Sequence, residues 1–510
     1  MKPQRIISLI FLTLGLSACG GGSGGGDGTE SAGETTSLLS KTLVIEDPAS
    51  SYNLPCETPA IQFVIPTQIN GDNQEDFIVH YWCEAEEFGV VRADPTPDAL
   101  VALVSQPDSS YEPDNLAVFG EDYPQLGGAS RKYVRGDLNG DGKDDFAFAM
   151  NWEDGRSGQD PTTNATRPSV ILSEPNGRFS VKRLGVADWG HAVEMVDNSL
   201  GGKDVVFEGF VYGIGSQAYR NVDGQWIDAS DEYQDNSPNN SWATSFRSLP
   251  GDSGQESKTI VAAASKTDGS GLEAFTRSTD GLWEVTGDWF IDVEFTVNWI
   301  TWQRTEGTTQ VIRLNGQQYF SGAVDDICLM QPLDGGDGTP LVVAKISAAE
   351  YTDGNVIYED VVYEESVNTR TVNVMAFFEL DQGKLTEIPS PIIGEEPNNN
   401  FNFFDCRDIN NDGHADLTVF PFTQSWNDLR MEEAGKPIFY INNQQGNLVN
   451  LDVSTLPGHS SGGQGGLQST ISDVNQDGHI DVILFGLTAA DNTDDIEILL
   501  LQDDLQLKTE

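Results

Sequence analysis

Asp137-Leu138-Asn139-Gly140-Asp141-Gly142-Lys143-Asp144-Asp145, followed at once by Phe146-Ala147-Phe148, is the stretch from which the fold can be read. It returns as Asp408-Ile409-Asn410-Asn411-Asp412-Gly413-His414-Ala415-Asp416 before Leu417-Thr418-Val419. It returns again as Asp473-Val474-Asn475-Gln476-Asp477-Gly478-His479-Ile480-Asp481 before Val482-Ile483-Leu484. All three read D-x-N-x-D-G-x-x-D. A fourth copy, Gln68-Ile69-Asn70-Gly71-Asp72-Asn73-Gln74-Glu75-Asp76, precedes Phe77-Ile78-Val79 but has Gln at position 1 and Asn at the glycine position. Each copy is a tight polar turn running into a short β-rich segment.

Hard cations such as Ca²⁺ take six to eight oxygens, which a tight loop supplies from alternate side chains while glycine permits the sharp reversal. Positions 1, 3, 5 and 9 carry those oxygens: Asp137, Asn139, Asp141 and Asp145; Asp408, Asn410, Asp412 and Asp416; Asp473, Asn475, Asp477 and Asp481. Position 7 (Lys143, His414 or His479) contributes its backbone carbonyl. The fourth copy retains only Asn70, Asp72 and Asp76, so its site is expected to be weaker. The bland alternative is four Asp/Asn-rich turns, since these residues favour turns in any case.

An EF-hand begins in the same way but needs Glu at position 12 and a helix on either side. Position 12 here is Phe148, Val419 or Leu484, all strand-core residues. The loop therefore joins two strands, and in this it resembles the FG-GAP and VCBS repeats, the calcium-binding blades of integrin-like β-propellers. That resemblance implies an all-β propeller, Ca²⁺ as cofactor and the ligand sets just named.

Loop starts at 68, 137, 408 and 473 are separated by 69, 271 and 65 residues, and 271 is close to four periods. Three blades without recognisable ligands fit the gap, with loop-then-apolar segments at 196–204, 250–258 and 332–340. Residues 41–510 divided by seven give about 67 each, which matches the period. A seven-bladed propeller is expected, with eight as the alternative if Thr296 to Phe320 forms a blade of its own. Residues 41–46 are positioned to pair with the last blade and close the ring.

Composition agrees. The 510 residues are 38% apolar with 53 glycines and 23 prolines, which suits a folded chain with little room for long helices. Lys and Arg total 28 against 80 Asp and Glu, a net charge of −52 that excludes nucleic acid as a natural partner.

Lys2 and Arg5 precede an apolar run from Ile6 to Leu16, too short to span a bilayer, which reads as a signal peptide over residues 1–18. The run ends in Leu16-Ser17-Ala18-Cys19, which resembles the bacterial lipobox. The resemblance implies diacylglycerol on Cys19, anchorage in the lipid bilayer and, with Gly20 rather than Asp next, sorting to the outer membrane. Residues 19–40 form a Gly/Ser-rich tether ahead of the propeller at 41–510. Four further cysteines allow three pairings; proximity favours Cys56 with Cys83, leaving Cys328 with Cys406, and four buried thiols are the alternative.

Other motifs carry less. Gly458-His459-Ser460-Ser461-Gly462 matches the nucleophile elbow, but glycines follow where that motif needs a helix. Arg135-Gly136-Asp137 is an RGD tripeptide whose Asp is already assigned to the metal loop. Acidic pairs such as Asp325 and Asp326 are expected from composition alone. The second strands carry Trp82, Trp152 and Trp426 toward the face opposite the loops, where indoles stack on sugars or on a partner's apolar side chains, or else pack blade corners. Two functions remain: a calcium-binding adhesion, binding or scaffold module for a protein or polysaccharide ligand, and a propeller enzyme, a polysaccharide lyase or hydrolase, with its site opposite the loops. Only His80, His191 and His459 lie outside the loop motifs, without a partnering signature, so binding is favoured.

Overall fold

The computed structural model describes residues 38–46, 48, 54, 59–82, 98–122, 124–126, 130–150, 167–185, 190–209, 217–233, 242–249, 256–266, 269–279, 281, 283–292, 297–298, 303–304, 312–314, 317–319, 322–334, 338–351, 357–358, 361–362, 369–394, 397, 401–421, 436–458, 467–486 and 495–502. The leader, Cys19, the tether up to residue 37, Cys56, Cys83, Trp152, Trp426 and residues 459–466 of the serine motif lie outside them.

From Leu38 onward the chain forms a seven-bladed β-propeller, each blade a four-stranded antiparallel meander. Blade 1 comprises Ala60–Thr67, Asp76–Trp82, Ala99–Ser105 and Tyr111–Pro113. Blade 2 comprises Ser130–Gly136, Asp145–Met150, Ser169–Ser173 and Phe179–Arg183. Blade 3 runs through Gly190–Asp197, Lys203–Gly209, Gln217–Val222 and Gln225–Asp228. Blade 4 runs through Trp242–Ser248, Thr259–Lys266, Gly269–Arg277 and Trp283–Asp292. Blade 5 is built from Gly322–Met330, Leu341–Tyr351, Thr369–Asp381 and Lys384–Ile388. Blade 6 is built from Phe401–Arg407, Asp416–Pro421, Ile438–Asn442 and Leu448–Asn450, with Ile392–Ile393 added in parallel. Blade 7 takes Leu467–Ser472, Asp481–Gly486 and Ile496–Leu501 from the end of the chain and its fourth strand, Leu39–Ile45, from the beginning.

That last pairing closes the ring. It is antiparallel, from Leu39 opposite Leu501 to Ile45 opposite Ile496, and it begins two residues earlier than the sequence indicated. The three ligand-poor turns expected at 196–204, 250–258 and 332–340 all fall between the first and second strands of blades 3, 4 and 5. Thr296 to Phe320 is not an eighth blade. Its described strands form two-residue and three-residue hairpins, Val297–Asn298 with Gln303–Arg304 and Ile312–Leu314 with Gln317–Tyr319, too short to offer a face to a neighbouring sheet.

A blade is covered on both faces, which explains apolar runs in its middle strands such as 482–485 of Asp481–Gly486, a strand buried throughout. Seven apolar clusters occupy the seams between blades, one for each successive pair. The cluster of Ile61, Phe77, Ile483 and Ile498 joins blade 7 to blade 1, so the core itself is a closed circuit. Cys328 and Cys406 form a disulfide between the first strands of blades 5 and 6, with Cα atoms 5.8 Å apart.

Six first strands carry a register shift at the same place, just after the strand begins. The extra residue is polar each time: Gln62, Arg131, His191, Thr244, Asp325 and Asn402. Such bulges turn backbone groups out of the ladder. In blades 4 and 5 the freed carbonyls of Thr244 and Asp325 accept hydrogen bonds from Lys132 Nζ of blade 2, at 3.0 and 3.1 Å.

Candidate metal loops at the first strand turn

All four acidic loops link the first strand of a blade to its second, so they share one face of the ring. Because blade 7 closes onto blade 1, the loops of blades 6, 7, 1 and 2 stand side by side. Glu75 N donates to Val474 O at 2.7 Å, joining the loops of blades 1 and 7, and Asn411 Nδ2 donates to Gly478 O at 2.8 Å, joining those of blades 6 and 7.

Position 9 opens the second strand, and Asp76, Asp145, Asp416 and Asp481 are fully buried there. One carboxylate oxygen accepts the N–H of position 2, from Ile69 (2.6 Å), Leu138 (2.7 Å), Ile409 (3.1 Å) and Val474 (2.9 Å). The other accepts the N–H of the last residue of the third strand, from Ser105 (2.7 Å), Ser173 (2.7 Å), Asn442 (2.8 Å) and Leu501 (2.8 Å). Ser105 and Ser173 add their hydroxyls at 2.8 and 2.9 Å. Position 9, expected as a cation ligand, thus meets backbone donors on both oxygens and clamps the turn to the third strand. Position 2, written as any residue in the motif, is aliphatic in all four copies. Leu138, Ile409 and Val474 are buried in seam clusters, and Ile69 packs against another.

The outer part of each loop is a nest of side-chain turns. In the three full copies the position 1 carboxylate accepts the N–H of position 6, from Gly142, Gly413 and Gly478 at 2.8–3.0 Å. These glycines have φ of +80°, +89° and +93°, the left-handed region that favours glycine. The position 3 Asn oxygen accepts the N–H of position 5 in all four loops, at 2.9–3.1 Å. Position 5 in turn accepts the N–H of Gln74, Lys143, His414 and His479 at 2.8–2.9 Å, so the two loop histidines engage through backbone N–H. Position 4 is left-handed in every copy, as Gly71, Gly140, Asn411 and Gln476. Gln68, in place of the first Asp, donates its amide to the position 7 carbonyl of Gln74 at 2.8 Å, the oxygen expected to face a cation in the other loops.

Asn and Asp oxygens are hard donors, the chemistry that suits Ca²⁺. Among the described residues no three His, Cys, Asp or Glu side chains converge as a ready-made cage. A cation would therefore have to draw the oxygens of positions 1, 3 and 5 together.

Blade 3 keeps the buried position 9 carboxylate as Asp204 but satisfies it differently. Arg220 of the third strand forks onto it, Nε to Oδ1 at 2.7 Å and Nη2 to Oδ2 at 2.6 Å, with Asn198 Nδ2 at 2.7 Å and Tyr233 Oη at 3.0 Å. A fixed guanidinium here faces the carboxylate that backbone amides serve elsewhere.

A second set of charged groups meets in the central channel. Lys132 Nζ lies 2.9 Å from Asp326 Oδ1, which also accepts from Ser245 Oγ at 2.8 Å; Arg247 stands 3.6 Å from Glu194 and 4.0 Å from Asp326. Burial pushes Glu194 up to about 7 against the pull of Arg247. These charges satisfy one another across blades 2, 3, 4 and 5. Arg135 of the RGD tripeptide donates to Asp144 at 2.7 Å. His80, for which the sequence offered no partner, is buried with Nε2 2.6 Å from Asp98 Oδ2. The side chain of Trp82 lies outside the described residues, as do Trp152 and Trp426 entirely.

No family model and no curated protein matches the chain, so the likeness to FG-GAP and VCBS repeats rests on the loops themselves. Among solved structures, a protein of unknown function from Dyadobacter fermentans is similar at 12% identity over 92% of this chain and 99% of that one, with a TM-score of 0.42. A rhamnogalacturonan lyase of Bacillus licheniformis is similar at 12% identity over 89% and 75%, with a TM-score of 0.36. An ulvan lyase bound to its glucuronate–sulfated rhamnose repeat is similar at 9% identity over 89% and 96%, with a TM-score of 0.40. At these values the likenesses carry nothing about activity or ligand.

Burial raises the clamp carboxylates, Asp145 and Asp416 to about 6 and Asp481 to about 7, with backbone donors opposing and neighbouring loop carboxylates reinforcing the rise. A carboxyl raised above its unfolded value of roughly 3.9 stabilises the fold in its protonated form, fully below about pH 4, and that stabilisation is lost as pH climbs through 6 to 7. The melting temperature of the calcium-free chain is expected to rise from pH 8 to pH 5, and to do so in roughly 1 M sodium chloride, where global repulsion is screened within about 3 Å. A flat profile in high salt would refute this. In blade 3, Arg220→Ala takes the paired cation from a buried carboxylate, leaving it the Asn198 and Tyr233 donors, and is expected to cost about 3 kcal/mol in urea unfolding, equally with and without calcium.

Proposed function

We propose that the chain is a calcium-binding β-propeller, lipid-anchored in the bacterial outer membrane through Cys19, that acts as a binding, adhesion or scaffold module for a protein or polysaccharide ligand. The observation that carries this reading is the loop set itself: three full copies and one reduced copy of a hard-oxygen turn, on the same connection of four adjacent blades. Asp137, Asn139, Asp141 and the carbonyl of Lys143 would hold the ion in blade 2. The corresponding sets are Asp408, Asn410, Asp412 and His414 in blade 6, and Asp473, Asn475, Asp477 and His479 in blade 7. Asp145, Asp416 and Asp481 lie beneath these sets, and Asn70, Asp72 and Asp76 form the weakest site.

Bound calcium would neutralise carboxylates that otherwise repel one another in a chain of net charge −52, and would stabilise the turn face from which the ring presents its surfaces. The self-paired charges of the channel support a holding role for its centre. The lipobox-like Leu16-Ser17-Ala18-Cys19 and the polar tether after it support display at a membrane surface.

Calorimetric titration of the full chain with calcium tests the metal. Heat corresponding to about three sites is expected, with Asp141→Ala, Asp412→Ala and Asp477→Ala each removing one and lowering the calcium-dependent gain in melting temperature. Absence of calcium heat would sink the reading. For the anchor, Cys19→Ala is expected to abolish the lipid mass and release the protein from the membrane fraction; unchanged mass and fractionation would show that Cys19 carries no lipid.

A further inference from the structure

Between the outer edge of blade 2 and the outer strands of blade 3 lies a cleft of about 670 Å³, within the usual range of roughly 300–1,000 Å³ for small-molecule sites. It lies away from the acidic loops. Two aromatic side chains line it, Tyr219 of the third strand and Trp226 of the fourth strand of blade 3, and Lys182 and Arg183 of blade 2, Glu121 and Asp228 also belong to its lining.

Three observations bear on its occupant. The indole N–H of Trp226 is buried and finds no acceptor among the described residues. A buried donor left unpaired is unfavourable, and a shift of the ring that uncovered it toward the cleft would let a ligand oxygen satisfy it. Second, the lining is electrically balanced, two cations against two carboxylates, in a chain whose net charge is −52. A polyanion gains little in such a place and is repelled on approach, whereas a cation is drawn to the whole surface alike. Third, the aromatic lining is specified by the backbone. Gly185 has φ of +50°, and a Cβ there would collide with the Tyr219 hydroxyl, so only glycine lets that ring lie where it does. The hydroxyl donates to Gln217 Oε1 at 2.9 Å. Arg183 is held by one bond from Nη2 to Leu126 O at 3.1 Å, which orients the guanidinium.

An aromatic face, a waiting N–H donor and balanced charged groups suit a neutral polyhydroxylated ring, whose C–H face stacks on an indole while its hydroxyls bridge carboxylate and guanidinium. We propose that the Trp226 cleft is a carbohydrate subsite for a neutral sugar segment. This deepens the binding-module reading and rests on it only for the notion that the chain binds a ligand.

The test titrates the full chain with cellohexaose, mannohexaose and laminarihexaose, with a hexamer of galacturonate as the anionic probe, following tryptophan fluorescence and calorimetric heat. At least one neutral hexaose is expected to bind, to weaken about tenfold or more in Trp226→Ala and several-fold in Trp226→Phe, which keeps the ring but loses the donor. It is also expected to protect Trp226 of the unaltered protein from oxidation by N-bromosuccinimide, read by peptide mapping, which decides the matter if the variants fold poorly. The cleft assignment is overturned if no neutral hexaose binds, if binding survives Trp226→Ala and leaves Trp226 unprotected, or if only the galacturonate hexamer binds. None of these outcomes touches the calcium titration, so the two readings fail separately.

Discussion

The structure depends on a buried carboxylate that ties three segments of a blade together. Asp76, Asp145, Asp416 and Asp481 each accept one backbone N–H from the turn before them and another from the end of a strand some 20 to 29 residues later. A buried anion without donors is intolerable, so the turn and the third strand must both be in place for the carboxylate to lie where it does. Local turn chemistry is thereby coupled to the meander, and the aliphatic residue at position 2 couples it in addition to the seam with a neighbouring blade. Blade 3 obeys the same constraint with a different donor, the Arg220 guanidinium.

Much of this was legible in the sequence because it repeats. Nine-residue spacing, the glycine at position 6, the apolar run after position 9 and the interval near 68 residues gave the blade unit. The segment at 41–46 gave the closure, and the bond between Cys328 and Cys406 was the pairing left once proximity had joined Cys56 with Cys83. What stayed hidden lies across the chain from the motif. Ser105 and Ser173 are ordinary serines until the third strand brings them to an Asp, and Asn442 and Leu501 serve through backbone N–H groups that no residue type records. Arg220 is paired with Asp204 only by the register of blade 3. The polar bulge residues have no spacing signal of their own, and their pattern emerges only once the strands are aligned. Position 9 was legible as an acidic residue but not as the recipient of two backbone bonds.

The linear order of the loops also hides their neighbourhood. Copies at 68 and 137 are far along the chain from those at 408 and 473, yet ring closure sets them on blades 1, 2, 6 and 7, an unbroken arc. The remaining arc, blades 3, 4 and 5, is held by the Arg220–Asp204 pair, and the channel charges and the disulfide link it inward and to blade 6. The ring is thus divided into a part whose turns are crowded with carboxylates and a part whose charges are paired within the protein.

The closing strand also determines the order in which the molecule can be made. Leu39–Ile45 is synthesised before every other described strand, but its partner Ile496–Leu501 lies about 450 residues further on, a separation that makes this pairing the slowest of the described strand pairings to form. Until then two sheet edges stand open, one on the first strand and one on blade 7. The ladder does not distinguish which molecule supplies the strand, so the corresponding strand of a second copy would meet the same bonds. Strand exchange between copies would therefore compete with intramolecular closure, and would gain on it as concentration rises.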